Sequence, residues 1–177
     1  MEFRDLRQQY QVLEKQMNSA MIQAASGGHY IMGKQVLELE EVLADYVGVK
    51  HCISCGNGTD ALLLALMAWG VKKGDAVFVP DFTFFASAEV VAALGATPIF
   101  VDVDVNTYNL DPNKLEKAIL ETKEKTSFTP KAVVAVDLFG QPADYDRIRE
   151  IATQYGLLLL EDGAQGFGGR IGDRKAC

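Results

Sequence analysis

The segment Leu157-Leu158-Leu159-Leu160-Glu161-Asp162 closes an apolar run on two adjacent acids. A run of this length suits a buried strand, and neighbouring strand residues point to opposite faces. Only one of the two acids can therefore face a given ligand, which excludes a paired-carboxylate couple of the glycosidase kind. A single carboxylate at such an edge suits a cation, a metal or a protonated ring nitrogen; the plainer alternative is a helix cap or a surface acid. A second candidate is Gly56-Asn57-Gly58-Thr59-Asp60. Glycines ahead of a helix let the backbone approach an anion, and free N–H groups with the helix dipole favour a phosphate there. Thr59 would add a hydroxyl donor, while Asp60 suits the dipole without touching a ligand. The plainer alternative is a tight turn capped by Asn57 or Thr59.

With Ala61, the same segment fits the G-x-G-x-x-[GA] dinucleotide fingerprint, and Asp81 closes the next strand about where a ribose-binding acid belongs. That keeps a nicotinamide-dependent oxidoreductase open, although the strand ahead is short and Glu161-Asp162 goes unexplained. Cys52-Ile53-Ser54-Cys55 is a lone C-x-x-C within an expected strand, where residues three apart face opposite sides, so a shared metal or disulfide is disfavoured. His29 and His51 have no partner motif. Phe82, Phe84 and Phe85 read as core more readily than as a ligand platform.

The elements that must position these groups follow from periodicity. Leu6 to Ala25 predicts an amphipathic helix with Leu6, Val12, Leu13, Met17 and Met21 facing a core, stopped by Gly27-Gly28. After the short segment His29 to Gly33 a second helix runs to about Tyr46, with Val36, Leu39, Leu43 and Val47 at spacings of three and four. Short apolar runs follow at Cys52-Ile53, Ala76 to Val79, Thr97 to Val101, Ala132 to Val136 and Leu157 to Leu160. Helical stretches lie between them near Thr59 to Trp69, Ala86 to Leu94, Pro112 to Glu124 and Tyr145 to Tyr155. Asp111-Pro112 is a strong start signal, an N-cap followed by proline at the first helical position. Strands alternating with helices imply an α/β fold with a mainly parallel sheet flanked by helices, and ligands at the carboxyl ends of the strands.

The 177 residues, 49% hydrophobic and 23% charged, suit one globular domain or one domain with an arm. The net charge of -7, with no Lys/Arg cluster longer than two, argues against nucleic acid. Ala61 to Trp69 is the longest apolar run, far short of the ~20 residues of a membrane helix, so no membrane partner is expected. The charged start and three cysteines without a secretory signal point to the cytoplasm.

Six segments in order resemble the DegT/DnrJ/StrS-type sugar aminotransferases, enzymes of the aspartate-aminotransferase (type I) fold that use pyridoxal 5'-phosphate. They are Phe3 to Tyr10, Tyr30 to Gly33, Gly58 to Leu62, Pro80 to Phe84, Leu138 to Asp144, and Glu161-Asp162-Gly163-Ala164-Gln165. The resemblance implies that Gly58 and Thr59 cradle the phosphate and that Phe84 stacks on the pyridine ring. It further implies that Asp162 pairs with the ring nitrogen and Gln165 bonds the ring hydroxyl, with Glu161 facing away. It implies a helical arm over 1–30 and the first part of the cofactor-binding large domain over 31–177, the remainder and a C-terminal small domain being absent. The Schiff-base lysine of the family sits in a Ser-Phe-Phe-x-x-Lys-like stretch expected beyond residue 177; Lys175, thirteen residues past Asp162, lacks that context. The implied activity is transfer of an amino group, from glutamate, to a nucleotide-linked keto-sugar such as a UDP-linked 3-keto sugar or uronic acid, in a homodimer. A dehydratase with histidine replacing the lysine, or a non-catalytic protein of the same fold, are the alternatives within the family.

Overall fold

The computed structural model describes residues 5–177, so Phe3 and Arg4 of the first motif lie outside the described residues. The chain divides into two compact units, Met1–Ser54 and Cys55–Cys177.

The first unit contains α1 (Leu6–Gly27) and α2 (Lys34–Val47). Asp5 caps α1 by accepting from the Gln8 N–H at 2.8 Å, and Gly28 ends the helix at φ +70°, a conformation that costs glycine little. Gly33 precedes α2, where a Cβ would lie 2.5 Å from the His29 carbonyl oxygen, so the turn admits only glycine. Two expectations fail in this unit. The α1 stripe of Leu6, Val12, Leu13, Met17 and Met21 is exposed, because helical spacing makes an apolar stripe but only a facing surface buries it. Cys52-Ile53 forms no strand. A two-residue apolar run has no ladder partner here, and the next residue is held otherwise: the Ser54 N–H and hydroxyl both donate to Glu40 Oε1 at 2.7 Å. Those bonds hold the Glu40 carboxyl below its ordinary pKa.

The second unit is the α/β body. Its elements are α3 (Gly58–Ala68), β1 (Asp75–Pro80), α4 (Ala86–Ala93), β2 (Thr97–Val101), α5 (Pro112–Lys125), β3 (Thr129–Val136), α6 (Tyr145–Tyr155) and β4 (Leu158–Asp162), followed by the short β5 (Arg170–Ile171) and β6 (Arg174–Lys175). β1 to β4 form a four-stranded sheet in the order β2-β1-β3-β4, every neighbour parallel. β5 and β6 form a separate antiparallel pair.

Both faces of the sheet are buried, as parallel sheets require. On one face Val77, Val79, Val134 and Val136 pack with Leu62 and Leu66 of α3 and Val90 and Val91 of α4. On the other, Phe78, Val101, Val133 and Ala135 pack with Leu115 and Ile119 of α5 and Ile148 and Ile151 of α6. The alternation of β1, with Val77 and Val79 to one layer and Phe78 to the other, is the period-two pattern of a strand. α5 starts as expected, with Asp111 Oδ1 accepting from the Asn113 N–H at 2.8 Å and Pro112 in the first turn. Among the described residues, no helix is long and apolar enough to cross a membrane.

Two acids hold the carboxyl end of the sheet on the α6 side. Asp137, just past β3, is fully buried, and its Oδ1 accepts from the Tyr145 hydroxyl at 2.7 Å and the Ala143 N–H at 3.1 Å. Its Oδ2 has no hydrogen-bond partner among the described residues. Burial and the Asp137 hydrogen bond push the Tyr145 hydroxyl well above its ordinary pKa, so it stays a donor. Glu161 pairs in register with Ala135 and accepts from the Cys177 N–H at 2.7 Å. Burial, and then the charge of Asp137, raise the Glu161 pKa above its ordinary 4.5.

Two predictions follow from this pair. Tyr145→Phe removes a hydrogen bond to a buried carboxylate and should lower the unfolding free energy by about 1.5–3 kcal/mol in urea titrations; an unchanged midpoint would contradict the bond's role. Because the folded pKa of Glu161 is raised, its contribution is most favourable below its ordinary 4.5 and is lost as pH rises through the folded value. Glu161→Gln should therefore be more stable than the parent at about pH 7–8, and the advantage should shrink as pH falls through the acid range. A variant that is less stable at neutral pH, and more so than in acid, would reverse the sign.

Candidate active site

The residues singled out from the sequence meet at the carboxyl edge of the sheet, on the α3/α4 face. A cleft of about 320 Å³ is lined by Gly58, Thr59, Phe84, Asp162 and Gln165, with Thr83, Leu138 and Val136 among the walls. Its floor is the end of β3 and β4, and one side is the start of α3.

The α3 start is built by a reciprocal cap. Asn57 Oδ1 accepts from the Asp60 N–H at 2.9 Å, and Asn57 Nδ2 donates to Asp60 Oδ2 at 3.0 Å. Asp60 is thereby spent on the turn and not offered to a ligand. Gly56 lets the turn close, since a Cβ there would lie 2.7 Å from Asp60 Oδ2. The amides of Gly58 and Thr59, at the first two helical positions, have no acceptor among the described residues. Both residues line the cleft, and nothing lies within 4 Å of where a Gly58 Cβ would be. Two free amides, a hydroxyl and a helix N-terminus are the complement of a phosphate dianion.

Strand alternation decides between the two acids of β4. Asp162 pairs in register with Val136 and shares its face, toward α3 and α4, whereas Glu161 pairs with Ala135 and turns to the α6 layer. Asp162 is only 7% exposed, with Oδ2 accepting from the Ser87 hydroxyl at 2.7 Å and Oδ1 from the Ala164 N–H at 3.3 Å. A buried carboxylate held by neutral donors alone favours a cationic guest.

Phe84 lines the cleft but is 72% exposed, and Phe82 and Phe85 are exposed too, so of the two readings of these phenylalanines the core one fails. They follow the last buried residue of β1, where the chain leaves the sheet, so no second layer covers them. Phe82, Tyr108 and Phe139 form an aromatic cluster with ring centroids 5.6 to 6.4 Å apart. Tyr108 and Phe139 hold φ of +60° and +58°, strained for non-glycine residues, and such strain collects at functional loops. Gln165 Oε1 accepts from the Phe139 N–H at 2.7 Å, which leaves the Gln165 amide N–H groups as its donors toward the cleft. Buried Asn109 ties two strand-end loops, accepting from the Leu138 N–H at 3.1 Å and donating to the Gln141 carbonyl at 2.9 Å.

The dinucleotide alternative loses its support here. The fingerprint needs a strand directly before the glycine turn, and the residues before Gly56 form none. Asp81 lines a different cleft, with Asp102, Tyr108 and Lys114. The cysteines Cys52, Cys55 and Cys177 are free, and among the described residues no group of three or more His, Cys, Asp or Glu is placed to hold a metal. Ser87 and Thr83 escaped the sequence reading because Ser87 meets Asp162 across 75 residues of chain.

Known proteins share this arrangement of chain. The chain is 47% identical over 178 aligned residues to the UDP-2-acetamido-2-deoxy-3-oxo-D-glucuronate aminotransferase of Pseudomonas aeruginosa, covering 99% of this chain and 47% of that protein. A DegT DnrJ EryC1 StrS aminotransferase from Brucella abortus superposes with a TM-score of 0.98 at 47% identity, covering 99% of this chain and 47% of that one. The putative sugar aminotransferase Spr1654 from Streptococcus pneumoniae, in its PLP form, superposes with a TM-score of 0.63 at 34% identity, over 70% of this chain and 30% of that one. The chain thus spans about half the length of the relatives it matches. The family model of the DegT/DnrJ/EryC1/StrS aminotransferases matches residues 11–177, and the chain belongs to that family.

Proposed function

We propose that this chain supplies the cofactor cradle of a pyridoxal phosphate-dependent aminotransferase acting on a nucleotide-linked keto-sugar. The observation that carries the reading is the convergence on one cleft of free α3 amides, an apolar ring at Phe84 and a buried carboxylate at Asp162. These residue types fit the three parts of the cofactor. The Gly58 and Thr59 amides and the Thr59 hydroxyl would hold the phosphate, Phe84 would lie against the ring, and Gln165 would donate to the ring hydroxyl. Asp162 would accept from the protonated ring nitrogen and keep the proton there. When bound, pyridoxal phosphate supplies an electron-withdrawing ring that takes up an amino group and passes it on. A UDP-linked 3-keto sugar or uronic acid is the proposed acceptor, supported by the likeness to the P. aeruginosa enzyme, and glutamate is the proposed donor. The proposal includes a Schiff-base lysine from beyond residue 177, in the cytoplasm, and a homodimer, for which the exposed apolar stripe of α1 is the support. Residues 31–177 are read as the first part of the large domain and 1–30 as its arm.

The test is an amino-transfer assay with the full-length protein, glutamate and a UDP-linked 3-keto sugar. Turnover is expected, and it should fall about 100-fold or more in Asp162→Ala, a loss of the size seen when one preorganised electrostatic partner is removed. Glu161→Ala should keep most of it, because that side chain faces α6; the reverse ranking would contradict the assignment. Titration with NAD(P)H should give no saturable binding, and tight binding lost in Gly58→Val would replace the reading with an oxidoreductase.

A further inference from the structure

The mechanism proposed above uses Asp162 but leaves open what fixes its carboxylate. A carboxylate at a strand end can rotate about two side-chain bonds, and only some rotations present an oxygen to the cleft. Ser87, in the first turns of α4, is fully buried, and its hydroxyl donates to Asp162 Oδ2 at 2.7 Å. The Ser87 oxygen also lies 3.1 Å from the Thr83 Oγ1. Ser87 has a single hydroxyl proton and gives it to the carboxylate, so Thr83 must be the donor in the second contact. Thr83 itself lines the cleft. The result is a directed chain, Thr83 to Ser87 to Asp162, running from the β1–α4 connection to the end of β4.

We propose that Ser87 is a positioning residue for the cofactor site, holding the Asp162 carboxylate toward the ring through its hydroxyl, with Thr83 polarising that hydroxyl from the cleft side. The chain joins two strand-end segments that no ladder hydrogen bond links directly, since β1 and β4 are separated by β3 in the sheet. A hydrogen bond to a charged acceptor is among the stronger ones in proteins, and inside a buried network it is strengthened by the next donor in line. The Ala164 N–H, at 3.3 Å, is the carboxylate's other donor and is the longer contact. Losing Ser87 would leave a buried oxygen unsatisfied and free the carboxylate to turn. The inference rests on the reading that Asp162 meets the ring nitrogen.

The experiment is equilibrium dialysis of the full-length protein against pyridoxamine phosphate, which binds without a covalent link, for the parent, Ser87→Ala, Ser87→Thr, Asp162→Asn and the double variant Ser87→Ala/Asp162→Asn. Ser87→Ala should weaken binding about tenfold, a loss typical of a hydrogen bond to a charged group. Ser87→Thr, which keeps the hydroxyl, should recover most of it. In the Asp162→Asn background Ser87→Ala should change affinity less than about twofold, because coupled residues do not add. The inference is overturned if Ser87→Ala binds like the parent while Asp162→Asn binds weakly. It is also overturned if the Ser87→Ala loss persists undiminished in the Asp162→Asn background, for then Ser87 acts through packing alone. Should Asp162→Asn itself leave affinity unchanged, the reading of Asp162 fails, and the inference falls with it.

Discussion

A parallel sheet buried on both faces leaves its polar chemistry only one place to go, the edge where the strands end. Here the strands read as near-continuous apolar runs because helices cover both layers, and the first polar residues appear where β1, β3 and β4 stop. That constraint places Asp81, Asp137 and Glu161-Asp162 together at one end of the sheet. The same constraint, with the two-residue period of the pleat, then separates neighbours: Asp162 goes to the α3/α4 layer and Glu161 to the α6 layer. One acid becomes available to a guest and the other becomes part of the scaffold.

The two layers treat their acids differently. On the α6 side, Asp137 and Glu161 are met by Tyr145, Ala143 and Cys177, and burial, then the charge of Asp137, raises the Glu161 pKa. On the α3 side, Asp162 is met by a serine hydroxyl and one long backbone contact, and no cationic side chain hydrogen-bonds to it among the described residues. Burying a carboxylate costs on the order of several kcal/mol unless a cation and good donors offset it. Among the described residues Asp162 meets only neutral donors, a setting that the proposed protonated ring nitrogen would complete. The free amides at the start of α3 are the matching deficit of the opposite sign. A ligand with a dianion at one end and a cationic ring at the other satisfies both.

Much of the fold and the site was readable in the residues. The Asp111-Pro112 start of α5, the alternating strands and helices, and the opposition of Glu161 and Asp162 follow from local rules that the structure obeys. The gathering of Gly58, Thr59, Phe84, Asp162 and Gln165 came from a resemblance, since no periodicity relates positions so far apart. Three readings failed for identifiable reasons. Cys52-Ile53 was too short a run to claim a ladder partner, the α1 stripe has no facing surface among the described residues, and the phenylalanines after β1 sit past the cover of either helical layer. The Ser87–Asp162 and Asn109–Leu138 contacts were out of reach altogether, because each joins residues whose proximity exists only after the sheet has assembled, and the local Thr83–Ser87 contact gains its meaning only from the first of them.

One guest bridging the α3 amides and Asp162 is what the proposed cofactor site requires. A crystal structure of the protein grown with pyridoxamine phosphate tests it most directly. The account predicts the phosphate on the Gly58 and Thr59 amides, the ring against Phe84, and the ring nitrogen within hydrogen-bonding distance of an Asp162 oxygen. A cofactor seated elsewhere, or lying in this cleft with its phosphate toward Asp162, would contradict it.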